Sequence, residues 1–381
     1  MLFYFQEKDD LKQSLGLKTT FTKEENAMIG QPESLRFALF ADFHYKKGMY
    51  IPSVADLQAI LERASRDGAQ LVLQAGDLCN DYQHSPELIR AYLQNPQGLP
   101  VYGVYGNHEL ETPDNSMAIV TPCLCNREVV WGTPDGAIGD GSIAYYFFDR
   151  GVFRFVCLDT NYSVDPATGE YVHNPSVSHG PPAGHSFGNS VGPRQLRWME
   201  TVLTDAARNG KKCIVLSHFA FSGLWWSPAG AAEVRDVFAK VNAIRRGTVF
   251  LAINGHLHTN RAAVRDGILW LDVNTARNTL WVRNEKAFDH YGDKTYLFTD
   301  YDADGNETER RERPICEMRM AKNTWFNSSP LSAMVTVCEN GAVEVEGSES
   351  SWLWGVAPDP SLYGAGVEPR ISGGSYRTGE D

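Results

Sequence analysis

Apolar runs and amphipathic segments alternate through the first two thirds of the chain. LRFALFADFH (35–44) reads as a buried strand that ends in polar residues. In PSVADLQAILERASRDG (52–68), Val54, Leu57, Ile60, Leu61 and Ala64 recur at helical spacing. Ser53 with Asp56 there resembles a capping box, and Gly68 is a stop. LVLQAGD (71–77) and VYGVYGNHE (101–109) read as further strands, with a short helix from Pro86 to Leu93 between them. IAYYFFDRGVFRFVCLD (143–159) is a hairpin turning at Asp149 to Gly151. A loop rich in Gly, Pro, Ser, Asn and His follows from Asn161 to Pro193, long enough to expect a functional segment.

A helix carrying Leu196, Met199, Val202, Leu203 and Ala206 then feeds KCIVLSHF (212–219). Another, with Val234, Val237, Phe238, Val241 and Ile244, precedes TVFLAINGHLHTN (248–260). Beyond residue 260 the pattern changes to strands and tight turns. ILWLDVN (268–274) is one strand, and TYLFTDYDADGNETE (295–309) and AMVTVCENGAVEVEG (333–347) are hairpins turning at Asp-Gly and Asn-Gly. The charge run ERRER (309–313) reads as a solvated strand or turn. These patterns divide the chain into an N-terminal extension (1–33), a main domain (34–356) with C-terminal hairpins (about 292–348) packed on it, and a Gly/Pro/Ser-rich tail (357–381), extended or loosely held.

Composition narrows the class. An apolar fraction of 43% with 22% charged residues is that of a soluble globular protein. No apolar run reaches the roughly 18–20 residues that span a bilayer, and MLFYFQEKDD is too short in apolar residues and lacks the basic flank of a secretory signal. A net charge of −12 argues against a duplex nucleic-acid surface, while leaving room for anionic substrates that bound cations would attract. The seven cysteines form no C-x-x-C pair, and the apolar neighbours of Cys157 and Cys213 suggest reduced core thiols. A reducing, cytoplasmic location is the expectation.

The candidate chemistry lies just beyond the buried strands. They end in Asp42-Phe43-His44, Gly76-Asp77, Gly106-Asn107-His108-Glu109, Ser217-His218 and Gly255-His256-Leu257-His258. In layered α/β folds ligands collect outside the carboxyl ends of strands, so these residues are expected to face one cleft. In an extended chain Asp42 and His44, or His256 and His258, would share a face. Oxygen and imidazole donors without thiolates suit Zn, Fe(II) or Mn. Their number exceeds the needs of one tetrahedral ion and suits two ions sharing a bridging carboxylate.

The ordered set DFH, GD, GNHE, SH and GHLH, spanning residues 42–258, resembles the signature of the calcineurin-like metallophosphoesterases. That resemblance implies an α/β fold, a four-layer αββα sandwich of two mixed β-sheets flanked by helices, with the β-rich C-terminal extension added. It also implies two divalent or trivalent transition-metal ions, of Mn, Fe or Zn. Carried over by position, Asp42, His44 and His258 would hold the first ion, Asn107, His218 and His256 the second, and Asp77 would bridge them. Asn107 adds an oxygen without charge, so two divalent ions, two carboxylates and a bridging hydroxide would leave a centre still attractive to phosphate. The implied reaction is hydrolysis of a phosphoester by direct attack of that hydroxide, with His108 as the acid that protonates the leaving group. Glu109 is expected to help hold the His108 imidazole. Gly255 fits a place where a bare backbone turns the strand end into the cleft.

Departures from the pattern limit the substrate. Asn80 stands where purple acid phosphatases carry a tyrosine, and Asp81 lies one place beyond the aspartate of many relatives. Asn80 or Asp81 is expected to hydrogen-bond the metal-site loop. GDLCND lacks the arginine of calcineurin-type protein phosphatases, so a small phosphorylated substrate is the expectation. Trp225 and Trp226 offer surfaces for stacking on a nucleobase or aryl group, and His185, in the long loop, is a candidate phosphate contact. Asp159 and Asn161 end another strand and are candidates to support the metal loops. The alternatives are a cyclic-nucleotide or other small-molecule phosphodiesterase and, outside enzymes, a metal-stabilised interaction scaffold.

Overall fold

The apolar runs form two large sheets whose polar strand ends gather on one side. The computed structural model describes residues 34–47, 51–109, 116–132, 143–164, 167–173, 190–225, 228, 230–281, 290–302, 307–317, 324–359 and 366–379. The N-terminal extension, His179, His185 and Trp226 therefore lie outside the described residues.

The chain opens with β1 (Ser34–Phe40), α1 (Val54–Arg66), β2 (Val72–Gln74), α2 (Pro86–Gln94), β3 (Val101–Gly103) and the short α3 (Met117–Val120). The capping box at the start of α1 is present: the Ser53 hydroxyl accepts from the Asp56 N–H, and the Asp56 carboxylate accepts from the Ser53 N–H at 2.8 Å. Next come β4 (Val130–Trp131), the hairpin β5 (Tyr146–Arg150) and β6 (Phe153–Cys157), and the small ribbon β7 (Tyr162–Val164) and β8 (Tyr171–His173). That ribbon occupies part of the expected long loop and carries His173. The second helical pair follows: α4 (Pro193–Arg208), β9 (Lys212–Leu216), α5 (Ala231–Ile244), β10 (Val249–Asn254), β11 (Arg261–Arg265) and β12 (Ile268–Asp272). Ile244, read as part of the apolar stripe of α5, is exposed at the helix end.

The remaining strands are β13 (Asn278–Trp281), β14 (Thr295–Tyr301), β15 (Glu307–Pro314), β16 (Thr324–Phe326), β17 (Ala333–Cys338), β18 (Ala342–Gly347) and β19 (Gly374–Arg377). One sheet runs β19-β18-β17-β1-β2-β3, and the other β11-β12-β10-β9-β6-β5-β4. Both are mixed. β1, β2 and β3 are parallel, as are β6, β9, β10 and β12, so their carboxyl ends share one edge in each sheet.

Alternation along the strands sorts side chains between layers. Phe155, Ile214, Leu216, Ile253, Leu269 and Leu271 turn inward and join Phe37, Leu39 and Val335 of the other sheet in one core. Val156, Val215, Ala252 and Trp270 face the opposite way, under Met199, Leu203, Val234 and Phe238 of α4 and α5. A register shift between Val249 and Leu251 lets both Phe250 and Leu251 enter the inner core. With α1 and α2 against the first sheet, the order of layers is the αββα sandwich expected from the sequence.

The C-terminal hairpins divide between two fates. β14 and β15 form a ribbon of their own, with the ERRER run on its largely exposed second strand. β17 and β18 instead enter the first sheet beside β1, with Leu35 opposite Val337 and Phe37 opposite Val335. The tail, read as extended or loosely held, ends as the edge strand β19, paired to β18 from Ala342↔Arg377 to Val345↔Gly374. A half-exposed strand edge with free backbone donors and acceptors is what draws it in. A third apolar cluster of Ile51, Tyr291, Phe298, Ile315, Trp325, Phe326 and Leu353 joins the extension to the loop after β1. Among the described residues no helix is long and apolar enough to cross a membrane.

Phe155 links the layers. It is fully buried, meets Phe37 edge-on at 5.8 Å across the sheets and stacks on Phe148 at 4.7 Å. Phe155→Ala is expected to destabilise the protein by about 3–5 kcal/mol, measured as a shift in the denaturant midpoint at unchanged slope.

Candidate metal centre

Five strand ends deliver the donors to one cleft. Asp42 and His44 follow β1, Asp77 follows β2, Asn107 and His108 follow β3, His218 follows β9, and His256 and His258 follow β10. The backbone delivers them differently from the expected alternation of an extended chain. Asp42, His44, Asp77, His256 and His258 have φ of 51°, 53°, 57°, 70° and 50°, all in the left-handed region. Such conformations are uncommon for non-glycine residues and cost about 1–3 kcal/mol each, so they persist only where surrounding bonds over-determine them.

Those bonds are present. The Asp42 carboxylate accepts the His256 N–H at 3.0 Å, and its carbonyl accepts the Thr275 hydroxyl at 2.7 Å. The His44 N–H donates to the Asp77 carbonyl at 2.8 Å, and the His108 N–H to Asp77 Oδ1 at 2.8 Å. Glu109 is fully buried and accepts from the N–H groups of Gly106 (2.6 Å), Leu78 (2.7 Å) and Asp77 (2.9 Å) and from the Tyr82 hydroxyl. These bonds tie the GD and GNHE loops together through their backbones.

Glycines supply the space. A Cβ on Gly106 would overlap the Asp77 carboxylate, and one on Gly76 would overlap the His218 ring. At Gly255 a Cβ would stand 2.6 Å from Asp42 Oδ2. Gly255 does not have the positive φ of a left-handed turn, so its lack of a side chain serves close approach.

The side chains converge as three overlapping triads: Asp42/His44/His258, His44/Asp77/His108 and Asp77/His218/His256. Within each, ligand-capable atoms lie inside 4.8 Å of one another. His258 Nε2 is 3.3 Å from Asp42 Oδ1 and 3.1 Å from His44 Nε2. His218 Nε2 is 3.2 Å from Asp77 Oδ2 and 3.1 Å from Asn107 Oδ1. Asp77 Oδ2 is also 3.7 Å from His44 Nε2, which places this carboxylate between the two groups. A buried set of carboxylate, amide and imidazole donors, with adjacent glycines keeping it clear, fits a pair of borderline cations.

Hydrogen bonds orient the rings. Asn80 Oδ1 lies 3.3 Å from His44 Nδ1, and Asn80 Nδ2 lies 3.4 Å from His108 Nδ1. Asn80 thereby holds the Nδ1 side of both rings, which leaves His44 Nε2 toward His258 and Asp77. Asn80 is thus the residue of the Asn80/Asp81 pair that reaches the site; Asp81 turns to His84 Nδ1 at 2.9 Å. His218 is oriented by the Ala75 carbonyl, 2.8 Å from Nδ1.

Charge follows burial. Desolvation drives the pKa of His44 and His256 well below the ordinary imidazole value, which keeps them in the neutral, ligating form. Burial also disfavours a charge on His218, but the carboxylates of Asp77 and Asp42 outweigh it and push its pKa up to about 10. Asp77 is held well below the carboxylate range: burial raises it, and the neighbouring His218 and His108 rings more than offset that. Burial and the Asp77 charge push Glu109 up to about 8.

Of the remaining candidates, Trp225 is half-buried against the α4–α5 core, with the Arg261 guanidinium 5.7 Å from its ring centre. Asn161 Nδ2 donates to the Gly106 carbonyl at 3.1 Å, and Asp159 accepts from Asn161. Sequence reading passed over residues 272–275, whose side chains brace the centre. The signal was present: ILWLDVN is one more buried strand that ends in polar residues.

A family model described as calcineurin-like phosphoesterase matches residues 35–260. A manganese-dependent ADP-ribose/CDP-alcohol diphosphatase of Bos taurus is 26% identical over 265 residues, covering 58% of this chain and 77% of that one. The protein of that name from Arabidopsis thaliana is 24% identical over 242 residues, covering 55% of this chain and 71% of its own length. A dimetal phosphatase of Danio rerio superposes with a TM-score of 0.49 at 16% identity, covering 84% of this chain and 98% of that structure.

Two outcomes are expected. Gly106→Ala forces a methyl group into Asp77, so the variant should lose manganese binding in calorimetric titration. In the metal-free protein the raised His218 pKa stabilises the fold fully below the unfolded imidazole value, and that contribution is lost as pH rises through about 10. Because ligation needs the neutral ring, manganese binding near pH 7 should release a proton from His218, read as a dependence of binding heat on buffer ionisation enthalpy.

Proposed function

Because the chain belongs to the calcineurin-like phosphoesterase family, we propose that it hydrolyses the diphosphate link of a small nucleotide derivative with two manganese ions in its cleft. ADP-ribose and CDP-alcohols, for which its relatives are named, are the substrate types to expect. The observation that carries this reading is the overlap of the donor triads, with Asp77 shared between two of them. Asp42, His44 and His258 would hold one ion, Asn107, His218 and His256 the other, and Asp77 both. Bound there, the ions would supply Lewis acidity toward phosphoryl oxygens and acidify water at the site toward neutral pH.

The chain's own residues would do the rest. Asn80 holds the Nδ1 sides of both His44 and His108. His108, whose ring centre is 4.9 Å from that of His44 and whose backbone is tied to Asp77, would in its protonated form give a proton to the departing oxygen and return to the neutral ring. An alkoxide needs this help more than a phosphate does, because a phosphate already carries the departing charge well. A diphosphate substrate therefore relies on His108 less than an alkyl ester does.

The test is a screen of the manganese-loaded protein against ADP-ribose, a CDP-alcohol, a cyclic nucleotide and simple phosphomonoesters. Preferred turnover of the two diphosphates supports the reading, and preference for the cyclic nucleotide would replace it with a phosphodiesterase. No turnover of any of them by metal-loaded protein would favour the scaffold reading. His108→Ala is expected to lower kcat about 10²- to 10⁴-fold on an alkyl phosphoester, with a smaller loss on a nitrophenyl ester or a diphosphate and with metal content retained. Equal losses on all three would remove the acid role.

A further inference from the structure

The segment leaving β12, Asp272 to Ala276, touches both halves of the centre without adding a donor to any of the triads. Asp272 is fully buried, and its two carboxylate oxygens accept from Asn254 Nδ2 and Thr259 Oγ1, each at 2.6 Å. Those partners bracket the four residues that carry His256 and His258. The Val273 N–H adds a bond to the Asn254 carbonyl at 2.8 Å. Thr275, also fully buried, donates its hydroxyl to the Asp42 carbonyl at 2.7 Å. The Ala276 N–H donates to the Ala41 carbonyl at 2.9 Å, and Ala41 and Thr275 pair as a parallel bridge. Between them, Asn274 accepts from the Thr275 N–H and donates to the carbonyls of Glu368 and Arg370, which holds the segment from outside.

β12 belongs to the second sheet, whereas Ala41 and Asp42 continue a strand of the first. One short covalent run therefore grips the loop that brings His258 and the loop that brings Asp42 and His44. Apolar packing alone would hold the sheets together, but it is non-directional and would not set the spacing of His258 Nε2 from Asp42 Oδ1.

We propose that residues 272–276 form a strut that fixes the spacing between the two sheets' contributions to one ion, with Asp272 and Thr275 as positioning residues. The inference rests on the metal-centre reading above. Partners of this kind around a ligand set change metal affinity about 10- to 100-fold when removed. An asparagine at 272 keeps the clamp, since its oxygen accepts from Asn254 and its nitrogen donates to the Thr259 hydroxyl. A serine at 275 likewise keeps the hydroxyl bonded to Asp42.

The experiment titrates manganese into the metal-free full-length protein by calorimetry and records thermal unfolding of the same metal-free samples. The wild type should bind two ions. Asp272→Ala and Thr275→Val should each weaken one ion about 10- to 100-fold, while Asp272→Asn and Thr275→Ser bind nearly as the wild type does. Should Asp272→Ala fail to fold, the valine–serine contrast at 275 decides the matter. Variants that bind both ions as the wild type does, even with a lowered metal-free unfolding temperature, would overturn the strut and leave the metal centre standing. A wild type that binds no ion would overturn the metal centre, and the strut with it.

Discussion

The carboxylate of Asp77 and the bonds that hold it are what the rest of the site depends on. The residue sits in a left-handed turn after β2, its side chain between His218 of the second sheet and His44 of the first. Its backbone N–H is held by Glu109, its carbonyl by the His44 N–H, and its Oδ1 by the His108 N–H. A buried carboxylate so surrounded is costly to form and hard to displace. Three loops thus share one anion, and moving any of them exposes an unpaired charge.

Strain and space are managed by different residues. At Asp42, His44, Asp77, His256 and His258 the left-handed positions carry side chains of the centre, where glycine would supply no donor. The adjacent glycines yield room instead: Gly76 to the His218 ring, Gly106 to Asp77 and Gly255 to Asp42. The motif spellings GD and GHLH thus record two requirements at once, a donor on a strained backbone and a bare Cα where another loop's donor passes, and GNH records the second.

The electrostatics suit an acidic chain that acts on anions. With a net charge of −12, the protein as a whole repels a diphosphate, so attraction must come from cations held in the cleft. The buried rings of His44 and His256 are kept neutral, and the two carboxylates are too few to cancel a pair of divalent ions. The centre would therefore remain net positive inside an anionic surface.

The sequence by itself determined the strand ends and the residue types, because burial period and polar dyads are local signals, while the layer order followed from the resemblance that its motifs carry. It carried the capping box of α1, the hairpins after residue 290 and every side chain of the donor triads. What it could not carry were relations between segments distant in the chain. That the dyads converge through left-handed turns, that Glu109 serves backbones, that Asn80 orients two imidazoles, and that the last strand closes a sheet were all decided by contacts across tens to hundreds of residues. Asp272 and Thr275 show the reason most plainly: nothing in LDVNT names a partner, and their roles exist only because two sheets pack with the segment after β12 reaching from one to the other.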